Sequence, residues 1–159
     1  MVRLGLFAIC LVLAFGYCSA KAIDSNVKVA VVHNLTTFLS ENPDVKLLQP
    51  LIKEQLGDVA LPKLQINYRL GNRISGDRLS ATAGASNQWS TPQNVKLTLA
   101  YPRSGVGNVV TYVQVIVEQS TNLGRGYVTS GGIGQRQVTI IIEAQSTLYF
   151  KYNAEIFGY

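Results

Sequence analysis

Apolar and polar residues alternate along most of the chain from Leu64 onward, and this period of two constrains the fold more than any other feature of the sequence. The clearest run is the last one, in which Leu148, Phe150 and Tyr152 begin a series of apolar residues at every second position. The same alternation occurs in three earlier segments: 64–70, 95–101 and 109–118. Because successive side chains of a strand point to opposite faces, the pattern predicts antiparallel strands with one buried and one solvated face.

Glycine-rich segments separate these strands and supply the turns; they lie at 71–76, 102–107, 122–126 and 131–134. Three shorter strands are predicted at 77–82, 127–130 and 138–143. The sequence therefore predicts a mainly β domain over residues 64–159, an antiparallel β-sandwich or barrel of about seven strands.

The preceding segment, residues 21–63, has a different character. Its apolar residues recur at helical spacing in two stripes: Val32, Leu35, Phe38 and Leu39, then Leu47, Leu48, Leu51, Ile52 and Leu56. Asn42 and Pro43 suit a helix start and Gly57 suits a stop, whereas Pro50 would interrupt the second stripe. This spacing predicts one or two short N-terminal helices before the β domain.

The first 20 residues have the composition of a secretion signal. Arg3 precedes an apolar run from Leu4 to Phe15, and small residues follow. The run is shorter than the roughly 20 residues needed to cross a bilayer. Cleavage is expected after Ala20, with Ala22 as the alternative. The pattern predicts a secreted, extracellular protein without stable membrane insertion.

Both cysteines, Cys10 and Cys18, lie inside this signal-like segment, so no disulfide is expected in the mature chain. The formal net charge is +5, yet no three basic residues fall within five consecutive positions. Nucleic-acid-binding surfaces normally show clustered Lys and Arg, so no nucleic-acid partner is expected.

No motif in the chain predicts catalysis. His33 is the single histidine, and without cysteine partners it does not predict a metal site. The glycines from Gly131 to Gly134 resemble a phosphate loop, but a strand rather than a helix is predicted after them, which favours a hairpin turn. The carboxylates are scattered along the chain. We therefore expect no enzyme activity, no metal and no cofactor.

Two residues remain as candidate sites. Asn34 begins the sequence Asn-Leu-Thr, a glycosylation acceptor in a secreted protein, so the chain is a candidate glycoprotein. Trp89 lies in the polar stretch 85–94, which makes it the aromatic residue most suited to contact a ligand.

Several short strings, in a fixed order, are similar to those of a known family: Leu70–Arg73, Gly76–Leu79, Gly107–Val113, Gly126–Gly134, Val138–Ile140, Ala144–Ser146 and Asn153–Gly158. The region from Tyr68 to Tyr159 thereby resembles the insect family named for multiprotein bridging factor, type two. The founding member is described as a transcriptional coactivator that bridges a nuclear receptor and the basal machinery, whereas many relatives are described as salivary secreted peptides. The resemblance implies no catalytic residues.

The signal-like segment leads us to expect a small secreted binding protein of haemolymph, saliva or a lumen, with an extracellular protein or ligand as its partner. The first alternative is the transcriptional coactivator that the family name implies. The second is a secreted defence hydrolase, which only secretion and basic charge suggest.

Overall fold

The computed structural model describes residues 25–33, 35, 40, 42–55 and 63–159. Within them the chain forms eight β-strands: β1 (Asn26–Val31), β2 (Lys46–Leu48), β3 (Pro50–Gln55), β4 (Lys63–Gly71), β5 (Arg78–Tyr101), β6 (Val110–Gln119), β7 (Gly124–Gly131) and β8 (Val138–Gly158). All the pairings between them are antiparallel. The prediction of a mainly β, antiparallel fold is confirmed.

β5 and β8 form the spine of the sheet, since they pair with each other from Arg78 opposite Gly158 to Tyr101 opposite Val138. The other strands attach to different halves of this pair. β6, β4 and β3 follow one another beside the C-terminal half of β8, whereas β7 and β2 lie beside its N-terminal half. β1 lies beside the C-terminal half of β5. The sheet is open, with β1 and β3 at the two ends of its main path.

The spine is interrupted near its middle. The register between β5 and β8 shifts between Gln88 and Val95, and Ser146 on the facing strand has a positive φ of 53°. Such irregularities bend strands and separate stretches of regular pairing. Apolar side chains from both halves, including Ile142 and Ile156 of β8, nevertheless belong to one buried core.

Residues 64–159 form fewer strands than predicted, because in two cases a pair of predicted strands is one continuous strand. Segments 77–82 and 95–101 belong to the single strand β5, and segments 138–143 and 148–156 belong to β8. The residues between these segments are mostly polar, and many of them are exposed, but the pairing of β5 with β8 continues through them.

Strands replace the predicted N-terminal helices in most of the described part of residues 21–63, where Ser40 is the one described residue in a helical conformation. β1 pairs with β5 over six residues, and its Val27 and Val29 pack against the core. β3 pairs with β4 in the same way, from Pro50 opposite Tyr68 to Gln55 opposite Lys63. Edge positions on a sheet satisfy the backbone hydrogen bonds of these segments, and that pairing overrides a helical spacing of apolar residues. The first stripe lies partly outside the described residues.

Among the described residues, no helix is long and apolar enough to cross a membrane. The predicted signal segment, residues 1–20, lies outside the described part of the chain.

Candidate functional site

Seven strand ends meet at one end of the sheet. β4 ends and β6 begins there, β5 and β8 each have both termini there, and pairs such as Arg78 with Gly158 and Tyr101 with Val138 hold them together. β7 also ends there, with Gly131 opposite Val138. We call this region the loop end; it comprises residues 71–78, 101–110, 131–138 and 157–159. Loops gathered at one end of a rigid sheet are a common location for binding sites.

A buried carboxylate organises the first loop. The Asp77 side chain is 1% exposed, and its oxygens accept hydrogen bonds from Arg73 Nε at 2.9 and 3.0 Å. Arg73 Nη2 lies 2.7 Å from Asp77 Oδ1, so the contact is bidentate. The Ile74 backbone N–H and the Thr111 hydroxyl donate to Asp77 Oδ2 at 3.1 and 2.9 Å. This carboxylate fixes the turn between β4 and β5 and ties it to β6.

These contacts change the acidity of both charged groups. Hydrogen bonding from Arg73, supported by the Ile74 N–H and Thr111, lowers the pKa of Asp77 to about 2 against the opposing effect of its burial. The hydrogen bond to Asp77 raises the pKa of Arg73. The Arg73 guanidinium also lies 3.6 Å from the centre of the Phe157 ring, a cation–π contact. Arg73 is therefore held in one orientation although half of its side chain is exposed.

Backbone hydrogen bonds connect the loops to one another. Val110 donates to Gln135 O and accepts from Gly134 N, both at 2.8 Å. Tyr159 and Val109 exchange two backbone hydrogen bonds, at 2.8 and 3.1 Å. The loop between β7 and β8 and the C-terminal residue are thus fixed against the start of β6.

Gly71 allows the closest approach between two of these loops. It has a φ of 72°, and a Cβ there would lie 2.5 Å from Ile133 Cδ1 and would also overlap the Thr111 carbonyl oxygen. Only glycine fits both the backbone conformation and the space. Ile133 consequently lies directly over the end of β4. The strand β8, and not a helix, follows the glycines from Gly131 to Gly134, and Gly131 pairs with Val138, so the segment is a hairpin turn rather than a phosphate loop.

A cavity of about 280 Å³ lies between these loops. Ile74, Ile133 and Tyr159 line it and are 48%, 43% and 59% exposed. Gly71, Val109 and Thr111 contribute to its lining. We call this feature the apolar groove. Large apolar side chains grouped at the surface around a groove are typical of protein-interaction sites.

The loop end also carries four arginines, Arg73, Arg78, Arg103 and Arg136, against one acidic residue, Asp77. All four arginines are exposed. Arg136 donates a hydrogen bond to the Gly107 carbonyl at 3.0 Å, which fixes it beside the loop that follows β5. Glu155 on the adjoining sheet face is close enough to raise the pKa of Arg73. The loop end therefore carries an excess of positive charge, although no arginine is among the described residues that line the groove itself.

A second cavity, of about 210 Å³, lies elsewhere, at the turn between β6 and β7. Glu143 lines this cavity, and its carboxylate accepts a hydrogen bond from the Tyr127 hydroxyl at 3.1 Å. Burial raises the pKa of Glu143, whereas Tyr127, Lys96 and Arg125 oppose this rise. Glu143 is the single acidic residue among the described residues of the lining, so the cavity lacks the pair of carboxylates that hydrolysis of glycosides uses.

Of the two candidate residues singled out from the sequence, the structure describes Trp89, which lies away from the loop end. Trp89 lies in β5, half-buried and packed against the core. Its role as a ligand contact stays a prediction. Asn34 lies outside the described residues, and neighbouring His33 is exposed. Among the described residues there is no group of three or more His, Cys, Asp or Glu side chains that could hold a metal ion.

Sequence reasoning missed the arginines because they are far apart along the chain. Only the antiparallel pairing of β5 with β8 and of β4 with β6 brings them to one end. The available signal was the set of family-like strings, since those beginning at Leu70, Gly76 and Gly107 all contribute to the loop end.

The model of the family described as "Transcription activator MBF2" matches residues 70–158, more than half of the chain and almost all of the loop end. The chain belongs to the MBF2 family. The suspected resemblance is thereby confirmed. No curated protein and no solved structure matches this MBF2 family member.

Membership of the MBF2 family overturns three expectations: a secreted binding protein, an extracellular partner without nucleic-acid association, and an extracellular location. A family of transcription activators agrees instead with the first alternative, a coactivator. The expectations were wrong because they depended on an apolar run outside the described residues and on the spread of basic residues in sequence, which conceals their proximity in space.

Proposed function

We propose that this chain is a transcriptional coactivator that bridges a nuclear receptor and the basal transcription machinery. The observation that carries the proposal is the match of residues 70–158 to a family described as transcription activators. A bridging protein acts by holding other proteins, so it needs exposed, preformed surfaces rather than reactive groups. We accordingly propose a role without catalysis, in the nucleus, among proteins associated with DNA.

The loop end supports this role because it is both exposed and rigid. Its loops are fixed by the Asp77 hydrogen bonds and by the backbone bonds of Val110 and Tyr159. A surface already held in its binding conformation loses little conformational entropy when a partner docks. Apolar residues with arginines around them match the composition of protein–protein interfaces, in which Arg is enriched and Lys is depleted.

We also infer that the two halves of the sheet face each other as a β-sandwich. Close packing between β4 and β7 supports this inference. A Cβ placed on Gly126 of β7 would lie only 2.8 Å from the ring of Tyr68 in β4. Leu48 of β2 lies against the same position, with Leu48 Cδ1 3.3 Å away. β4 and β7 attach to opposite halves of the spine, so this contact requires one half to fold over the other. A sandwich leaves the loop end free at one end of both halves.

The proposal is tested by joining the full chain to an unrelated DNA-binding domain in cells that carry a reporter with the matching DNA sites. We expect transcription from the reporter to rise above the level with the DNA-binding domain alone, because a coactivator brought to a promoter recruits the basal machinery. A reporter without the sites is the control. The unfused chain, located by fractionation, is expected in the nucleus.

Two results together would contradict the coactivator: a folded fusion that leaves transcription at the control level, and an unfused chain excluded from the nucleus. Activation that is equal with and without the DNA sites would also contradict it, because bridging requires recruitment to the promoter.

A further inference from the structure

We propose that the apolar groove binds an acidic, apolar peptide segment of a protein partner. The inference deepens the proposed function and rests on it for the premise that the partner is a protein. What it adds is the location of the contact and the chemistry of the segment that fits there.

The apolar part of the partner follows from the exposed side chains. Ile74, Ile133 and Tyr159 surround one groove, and each keeps about half of its surface in water. Burying such side chains against an apolar residue of a partner is favourable by about 25 cal/mol for each Å² removed from water. A groove of about 280 Å³ has room for one or two apolar side chains rather than for a whole domain.

The acidic part follows from the arginines that the loop end carries near the groove. Arg73 follows Asn72 and precedes Ile74, two residues that line the groove. Arg78 pairs through its backbone with Gly158, next to Tyr159. Asp77 is already bonded to Arg73, so the loop end keeps an excess of positive charge that carboxylates of a partner would neutralise.

A peptide fits these observations better than a nucleic acid does. Binding to phosphates depends on Lys and Arg and gains nothing from exposed isoleucines at the centre of the site. Two of the arginines are also committed within the protein, Arg73 to Asp77 and Phe157 and Arg136 to the Gly107 carbonyl. Fixed arginine donors suit a carboxylate and a phosphate alike, so the exposed isoleucines are the feature that favours a peptide.

The first experiment measures fluorescence anisotropy of labelled probes with the full purified chain. The main probe is a peptide made of Asp, Glu, Leu and Phe. A second peptide has Lys in place of every acidic residue, and a third probe is a short DNA duplex. We expect the acidic peptide to bind, the lysine peptide not to bind, and the duplex not to displace the acidic peptide.

The matched variants separate the groove from general surface effects. The test variant combines Ile74→Ser with Arg78→Glu, and we expect it to weaken binding of the acidic peptide by at least about fivefold. The control combines Leu51→Ser with Arg69→Glu, the same changes at exposed residues of β3 and β4, and is expected to bind as the unmodified chain does. Equal weakening by both variants would overturn the proposal.

NMR spectroscopy of the unmodified chain keeps the inference testable even if the test variant does not fold. Addition of the acidic peptide is expected to shift the resonances of Ile74, Ile133 and Tyr159 more than that of Leu51. Shifts confined to other regions, or displacement of the peptide by the duplex, would overturn the peptide assignment. The reporter assay is separate, because recruited transcription without peptide binding contradicts this inference alone.

Discussion

The Tyr68 hydroxyl offers a test of the core, because its removal is expected to raise rather than lower the free energy of unfolding. The side chain is 1% exposed, and its hydroxyl has no hydrogen-bond partner within the described part of the chain. It lies against Gly124, where a Cβ would be 3.0 Å from the hydroxyl and 3.2 Å from Gln119 Nε2. Gln119 Oε1 is also buried without a partner among the described residues. Burial raises the pKa of Tyr68, as expected for a phenol removed from water.

We expect Tyr68→Phe to increase the free energy of unfolding. A buried hydroxyl without a hydrogen bond costs about 1–3 kcal/mol, and phenylalanine removes that cost. The small void that remains reduces the gain, since a few dispersion contacts are lost. The expected net stabilisation is about 1 kcal/mol, which corresponds to a rise in Tm of about 3 °C for a chain of this length.

Tyr127→Phe is the matched control. The Tyr127 ring is equally buried, but its hydroxyl donates to Glu143 Oε2 at 3.1 Å. Removal of that hydroxyl leaves a buried carboxylate without one of its donors, and we expect a loss of about 1–2 kcal/mol. Urea denaturation followed by tryptophan fluorescence measures both variants, with Trp89 as the single probe.

A Tyr68→Phe variant that is less stable than the unmodified chain by about 0.5 kcal/mol or more would refute this reasoning. Such a loss would mean that an ordered water joins the Tyr68 hydroxyl to Gln119, because a bridged hydroxyl contributes stability instead of reducing it.

Two further predictions concern the loop end. Because the pKa of Asp77 is lowered to about 2, its charged form contributes stability above the pKa of an unfolded aspartate, about 4, and the contribution is lost as the pH falls toward 2. We expect Asp77→Asn to flatten this part of the stability profile, measured by urea denaturation between those pH values; an unchanged slope would contradict the hydrogen-bonded carboxylate. We expect Gly71→Ala to lower the free energy of unfolding by more than about 2 kcal/mol, because Ile133 and the Thr111 carbonyl occupy the space of the added methyl group. Gly105 has the same φ of 72° but no described atom within 4 Å, so Gly105→Ala should lower it by about 1 kcal/mol. Equal losses in thermal denaturation would show that backbone conformation alone determines both.

β4 and β6, each with a partner on both sides, were each predicted as one strand with nearly the observed bounds. In β6 and in the C-terminal half of β8, apolar and polar residues alternate because one face meets the core and the other is more exposed to water. That alternation is a local consequence of strand geometry and can be recognised in a single segment. The continuity of β5 could not be recognised, because its middle, around Trp89, contributes little to the core and its composition resembles that of a loop.

The prediction for the N-terminal strands failed for a related reason. β1 and β3 are held by hydrogen bonds to β5 and β4, partners that follow them in the sequence by about 70 and 15 residues. A local pattern of apolar residues does not contain that information, and the backbone takes the conformation that its distant partner allows.

The sequence by itself determined the fold class, the positions of the turns and the family. Each of these depends on residues close together in the chain: alternating side chains within a strand, glycines with positive φ, and short strings such as Gly76–Leu79. The candidate site was decided only by the tertiary structure. Its arginines are separated by up to 63 residues in the chain: Arg73, Arg78 and Arg136. Antiparallel pairing places them at the same end of the sheet, because the chain reverses direction from one strand to its neighbour and so returns to that end.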